Sequence, residues 1–207
     1  MSGAADSNRR ARLIRESARL FRERGYEGTS VRDIAAATGI QSGSWVYHFK
    51  TKQDILVAVI EEGLKQSLAR IDGIARKVGT PRERFRRLVH AHLDTILRPG
   101  QDFIPVLLYD WRSLEPAARP RVVALQKRYE AVWDEVIDEL QRAGDWSHPT
   151  HIDRLLMFGA LNWIAHWYRR GGGLEVAALA DEAVRFFLRS PARPRRSSAP
   201  VRRRKRA

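Results

Sequence analysis

The sequence predicts an all-α chain in two folded parts, on three observations. Apolar residues recur at helical spacing along most of the 207 residues, no run alternates as a strand does, and three short helical segments precede about six longer ones. The short set places an N-terminal domain over residues 6–50 and the longer set a second domain over 51–190. Residues 191–207 read as a disordered basic tail, because their Pro, Ser and Arg content has nothing to bury.

The first helix is expected from Asp6 or Ser7 to Arg24. Leu13, Ile14, Ser17, Leu20 and Phe21 make one buried stripe, and Gly25 ends it. In "TSVRDIAAATG", Thr29 or Ser30 caps a second, short helix. Asp33 favours its first turn, Val31, Ile34 and Ala35 face inward, and Gly39 stops it. Gln41 or Ser42 opens a third helix that runs through His48. Thr51, with Asp54 three residues on, caps a long helix that reaches Val78. Thr80-Pro81 starts the next and Pro99-Gly100 ends it. A short apolar helix over 103–113 follows, then a long one from Pro116 to Arg142 with Leu125, Tyr129, Val132, Val136 and Leu140 on one face. "DWSHPTH" is a loop. The last two helices span His151 to Arg170 and Leu174 to Arg189, with Gly171-Gly172-Gly173 between them.

Composition narrows the function. The net charge of +14 favours a polyanionic partner, but it falls to +6 without the eight basic residues of the tail. Cysteine is absent, which excludes disulfides and thiolate metal sites. No apolar run approaches the length of a membrane span, and "MSGAADSNRRARL" has no apolar signal-peptide core. A soluble cytoplasmic protein with no membrane partner is therefore expected.

The stretch "GIQSGSWVYHF" carries the first functional signal. A short helix, a tight glycine turn and a second short helix is the plan of a helix-turn-helix, whose second helix enters the major groove N-terminus first. Small residues there let backbone approach DNA, and free N–H groups at a helix start favour phosphate. Gln41, Ser42, Gly43 and Ser44 supply that polar start, and Tyr47, His48 and Lys52 reach the flanking backbone. Thr29, Ser30 and Arg32, at the start of the second helix, complete the expected DNA-binding set. Trp45 and Phe49, four apart, anchor the helix to the first two.

The residues "ARLFRERGYEGTSVRDIAAATGIQSGSWVYHFKTKQDIL", 18 to 56, resemble the TetR family of bacterial transcriptional repressors. The resemblance rests on "LF…GY", the second helix with its "GI", the "SGS" opening, and "HF" with the lysine after it. The segments "LNWIAHWYRRGG" and "DWRSLEPAARPRVVALQKRYEAVW" look more loosely like C-terminal regions of members that respond to acyl-CoA thioesters. One recognition helix contacts only a few base pairs, so a homodimer paired through its last two, apolar helices and reading palindromic double-stranded DNA is expected, responding to a small hydrophobic effector, for which the resemblance implies an acyl-CoA among the candidates. One position departs from the family. Where members usually carry Leu or Ile and then Tyr or Phe, this chain has Trp45 and Val46. That tyrosine commonly contacts a phosphate. Either Tyr47 supplies the contact that Val46 gives up, or position 46 simply packs.

For the effector, Phe85, Leu88, Phe103, Leu107, Trp111, Tyr129 and Trp133 offer an apolar lining, with His92 as a pocket or core residue. Arg112, Arg128 and His166 are placed to meet an anionic head group. Asn162, His166 and Arg170 share one helix stripe, and Trp163 and Trp167 the next, which fits packing or dimerisation. "HAHLD" resembles a metal motif, but residues two apart on a helix point to different sides, and "HPTH", with His148 and His151, is a loop and cap pair that suits solvent better than a metal. Neither a catalytic constellation nor a phosphate loop is present, so no enzyme activity, cofactor or metal is expected. The alternative is a basic, sequence-tolerant nucleic-acid-binding protein without an effector.

Overall fold

A computed structural model of the chain describes residues 2–39, 47–98, 100–146 and 151–188. It is all-helical among those residues. The eight α-helices are α1 (Ser2–Arg24), α2 (Val31–Thr38), α3 (Lys52–Ala75), α4 (Pro81–Leu97), α5 (Phe103–Asp110), α6 (Arg119–Arg142), α7 (His151–Trp167) and α8 (Val176–Phe187), with a 3-10 turn at Trp111–Ser113. Of the expected third helix, only Tyr47 and His48 lie among the described residues. Gln41, Ser42, Gly43, Ser44, Trp45, Val46, His148 and the tail lie outside them.

Local sequence chemistry sets several boundaries. Ser30, not Thr29, caps α2, and it forms a reciprocal capping box with Asp33. Gly39 closes α2 at φ 64°, a left-handed conformation that suits glycine. Thr51 with Asp54 and Thr80 with Glu83 form the same box on α3 and α4. Other boundaries move from expectation. α1 begins four residues earlier than Asp6, at Ser2, and α3 stops at Ala75 rather than Val78. α6 begins at Arg119 instead of Pro116. A turn closed by Ala118 N–H donating to Glu115 O comes first, and Pro120 sits in the first helical turn, where its missing N–H costs nothing. α7 ends at Trp167 rather than Arg170, and α8 runs only over Val176–Phe187.

α1 packs on α2, α3 and α5. α3 then runs into the second part, against α4, α5 and α6, while α4 packs on α6, α7 and α8. The centre of the second part is aromatic. Trp133 is fully buried, edge-on to Phe85 at 6.0 Å and to Phe158 at 5.3 Å between ring centroids. Where α3 crosses α5 the backbones are close. A Cβ added at Gly63 would lie 2.6 Å from Phe103 Cβ. Gly63→Ala is therefore expected to cost about 1–3 kcal/mol by overpacking. Urea denaturation checks this, and an unmoved midpoint would contradict the close approach.

Candidate functional site

The N-terminal end separates exposed residues from structural ones. Tyr47 is 90 % exposed and Arg32 is exposed, so both are free to meet a partner. Ser30 is exposed too, but its hydroxyl is committed to Asp33, donating to Oδ2 and accepting from N–H. Three residues expected on the DNA side are held elsewhere. Thr29 is fully buried, its hydroxyl 2.9 Å from Gly25 O and 3.3 Å from Leu20 O. Lys52 turns inward, and its ammonium donates to Tyr26 O at 2.9 Å and Thr29 O at 3.1 Å while lying 4.0 Å above the Tyr26 ring. The His48 side chain is mostly covered, with Nε2 3.5 Å from Asp6 Oδ1. Thr29 thus fastens the turn before α2 to the end of α1, Lys52 fastens the same turn to α3, and His48 lies against α1. Backbone carbonyls at the end of α1 and in the turn claim Thr29 and Lys52, while His48 faces Asp6, which is itself largely exposed.

The second part holds a largely apolar cavity of about 450 Å³, partly open to solvent, between α3, α4, α5, α6 and α7. Leu64 and Ser67 come from α3, His92 and Thr95 from α4, and Ile104, Leu107 and Leu108 from α5. Trp111 adds the 3-10 turn, Gln126, Tyr129 and Glu130 come from α6, and Leu155, Phe158 and Asn162 from α7. The volume suits a small organic ligand.

His92, Leu107, Trp111 and Tyr129 are thus brought together as expected cavity residues. The others are not. Phe85, Leu88 and Trp133 are fully buried in the core and do not face the cavity, because their helix faces meet one another. Phe103 lines a smaller neighbouring space. Arg112, Arg128 and His166 are exposed and absent from the wall. The His166 ring lies 4.3 Å from Trp163 and 5.2 Å from Tyr109 instead. The other ten wall residues, Ser67 and Phe158 among them, are not in the set expected from the sequence. Ser67 had a usable signal: it interrupts the apolar stripe Leu64, Leu68, Ile71 at helical spacing. Asn162 was placed on a polar stripe, but with His166 and Arg170, which point elsewhere. Arg170 Nε donates to Leu97 O at 2.7 Å.

A buried polar line crosses the cavity floor. His92 Nδ1 lies 2.9 Å from Tyr129 Oη and Nε2 3.0 Å from Asn162 Oδ1. Burial holds the His92 imidazole far below its ordinary range, at about 4, against the opposing pull of the Asn162 contact. Burial likewise pushes the Tyr129 phenol up. The ring is therefore neutral at pH 7. Asn162 Oδ1 only accepts, so Nε2 carries the proton and Nδ1 accepts from the Tyr129 hydroxyl. Two further histidines pair elsewhere. His90 Nε2 sits 2.7 Å from Asp181 and His151 Nδ1 3.0 Å from Arg154.

The cavity wall also reaches the DNA-binding end. α5 contributes Ile104, Leu107 and Leu108 to the cavity, and both its ends are fastened to the first domain. Arg22 of α1 pairs with Asp102 at 2.6 Å, and Tyr26 N–H donates to Asp110 Oδ1 at 3.1 Å. Gln53 of α3 donates to Ser113 O at 2.5 Å and accepts from Glu115 N–H at 3.2 Å.

A capped short helix with a left-handed glycine stop, joined through a clamped helix to an apolar cavity, fits the class of ligand-responsive DNA-binding transcriptional regulators. The chain belongs to the TetR family: residues 13–59 match the bacterial regulatory proteins of the tetR family, and residues 78–190 the tetracyclin repressor-like C-terminal domain. Among its relatives is the HTH-type transcriptional repressor KstR2 of Mycobacterium tuberculosis, 27 % identical over 187 residues, covering 88 % of this chain and 92 % of that one. The structure of that ketosteroid transcriptional regulator superposes with a TM-score of 0.69 over 87 % of this chain and 93 % of KstR2. The fatty acid metabolism regulator protein of Bacillus subtilis is 20 % identical over 85 % of this chain and 92 % of its own length. The crystal structure of superantigen PfiT is 39 % identical, with a TM-score of 0.76, over 88 % of this chain and 97 % of PfiT. No helix among the described residues is long and apolar enough to cross a membrane.

Proposed function

We propose that this protein is a homodimeric repressor of lipid-catabolism genes, released from its operator by a lipid-derived effector such as an acyl-CoA. The observation that carries the reading is the apolar cavity whose α5 wall is clamped at both ends to the DNA-binding domain. A ligand filling the cavity pushes on α5, and the Asp102 and Asp110 contacts pass that push to α1 and Tyr26. An effector that prefers one spacing of the two reading heads shifts the dimer away from DNA by that difference in affinity. The names of two relatives, a ketosteroid transcriptional regulator and a fatty acid metabolism regulator protein, support a lipid-type effector.

Dimerisation is supported by the apolar residues that α7 and α8 leave uncovered. Ile152, Leu156, Trp163 and Phe186 are each more than 60 % exposed in the single chain. A two-fold dimer would cover them and would place two recognition helices on a palindrome. Ser42 and Ser44 at the start of the recognition segment, with Tyr47, carry the proposed DNA contacts.

The test is gel shift and footprinting on the DNA upstream of the protein's own gene. The dimer should protect a two-fold site. Ser42→Ala with Ser44→Ala should cost roughly 1–3 kcal/mol of specific affinity. Equal binding to all duplexes with a steep salt dependence would favour the sequence-tolerant alternative instead.

A further inference from the structure

A second space of about 190 Å³ adjoins the apolar cavity, and the two share Ser67, Thr95 and Ile104 in their walls. Its lining is different in kind. Gln66, Arg70 and Gln101 bring side-chain amides and a guanidinium, and Arg70 is its single charged wall residue. At the junction stands Ser67, 4 % exposed, whose Oγ has no hydrogen-bond partner. A buried hydroxyl without a partner is costly in an empty protein and useful once a ligand oxygen arrives. The charge around the two spaces also differs. Asp94 is shared by Arg70 at 2.9 Å and Arg98 at 2.7 Å, which leaves one cation in excess in that cluster. Glu62 holds Gln66 from outside the wall. The charged wall residue of the large cavity is instead an acid, Glu130, held by Arg154 at 3.2 Å beside Asp134.

We infer that the effector is an acyl chain with an anionic head and that it binds in one orientation. The chain lies in the large cavity against Leu107, Tyr129 and Phe158, the first polar carbon meets Ser67, and the anionic part lies in the annex against Arg70. The Glu130 end repels an anion, so the reverse orientation is disfavoured. A fatty acid carboxylate places its acid carbon at Ser67 and its oxygens at Arg70, whereas the phosphates of an acyl thioester lie a pantetheine arm beyond the carbonyl and reach Arg70 only with that carbonyl held deeper in the large cavity. The inference rests on the ligand-responsive reading above and moves the anion site away from Arg112, Arg128 and His166.

The test uses the full-length protein with dodecanoic acid, dodecanoyl-CoA and dodecanol as probes, followed by calorimetric titration. At least one anionic probe should bind tenfold or more tighter than dodecanol, and which of the two does so identifies the source of the head. Raising the ionic strength should narrow that gap without changing dodecanol binding. Arg70→Gln should abolish the preference and leave dodecanol unaffected, while Arg70→Lys should retain most of it. Asp94 keeps Arg98 in the Gln variant, so the fold is preserved, and the salt titration of the natural protein stands independently of any variant. Dodecanol binding as tightly as both anions, or a preference untouched by Arg70→Gln, overturns the head-group assignment while leaving the effector reading intact. Failure of all three probes to bind overturns both.

Discussion

Trp133→Ala is expected to lower the free energy of unfolding by about 3–5 kcal/mol. The indole is fully buried and lies within about 6 Å of Phe85, His92 and Phe158, so it joins α4, α6 and α7 at one point. Truncation removes the transfer energy of the ring and leaves a void that three rigid neighbours cannot fill. At roughly 2–4 °C per kcal/mol for a chain of this size, the melting temperature should fall by about 10 °C. Trp133→Phe should recover most of it. A loss below about 1 kcal/mol for the alanine variant would show that the second domain does not depend on this junction.

The second large effect is a dependence of stability on pH. His92 titrates at about 4 in the folded protein, because burial disfavours its charged form, against an ordinary 6.5. The unfolded chain therefore binds a proton on this residue before the folded one does. Its contribution is fully present above pH 6.5, declines as pH falls from 6.5 to about 4, and is constant below that. The whole span corresponds to roughly 3 kcal/mol. Comparing the natural protein with His92→Gln across pH 7.5 to 4 isolates the effect from the carboxylates, which are common to both. The Gln variant should be less stable at pH 7.5 and should show the shallower slope. Parallel curves would mean that His92 is not buried neutral.

Much of this architecture can be read from local chemistry. Thr51 with Asp54, Thr80 with Pro81, and Gly39 each mark a helix end by hydrogen bonds within a few residues, so sequence alone locates them. The site is less legible because it depends on which faces meet. Phe85 and Tyr129 look alike as apolar aromatics on amphipathic helices, yet one packs inward and the other faces the cavity. Thr29 and Lys52 show the same limit. Both suit a DNA contact by type, and long-range partners on Leu20 and Tyr26 claim them. Ser67 is the exception, since a lone hydroxyl inside an apolar stripe marks a special position in the sequence itself.

The proposal that cavity occupancy controls DNA binding is tested most directly by fluorescence anisotropy of the dimer on its upstream duplex. The duplex is titrated with and without a fatty-acyl probe held at 100 times its dissociation constant. Binding of the probe is confirmed independently by thermal shift, where stabilisation of about 2.7 kcal/mol is expected. The saturated protein should bind the duplex at least tenfold more weakly, and Asp110→Ala, which cuts the α5 contact to Tyr26, should narrow this difference. A protein that is stabilised by the probe yet binds the duplex with unchanged affinity would contradict the proposal.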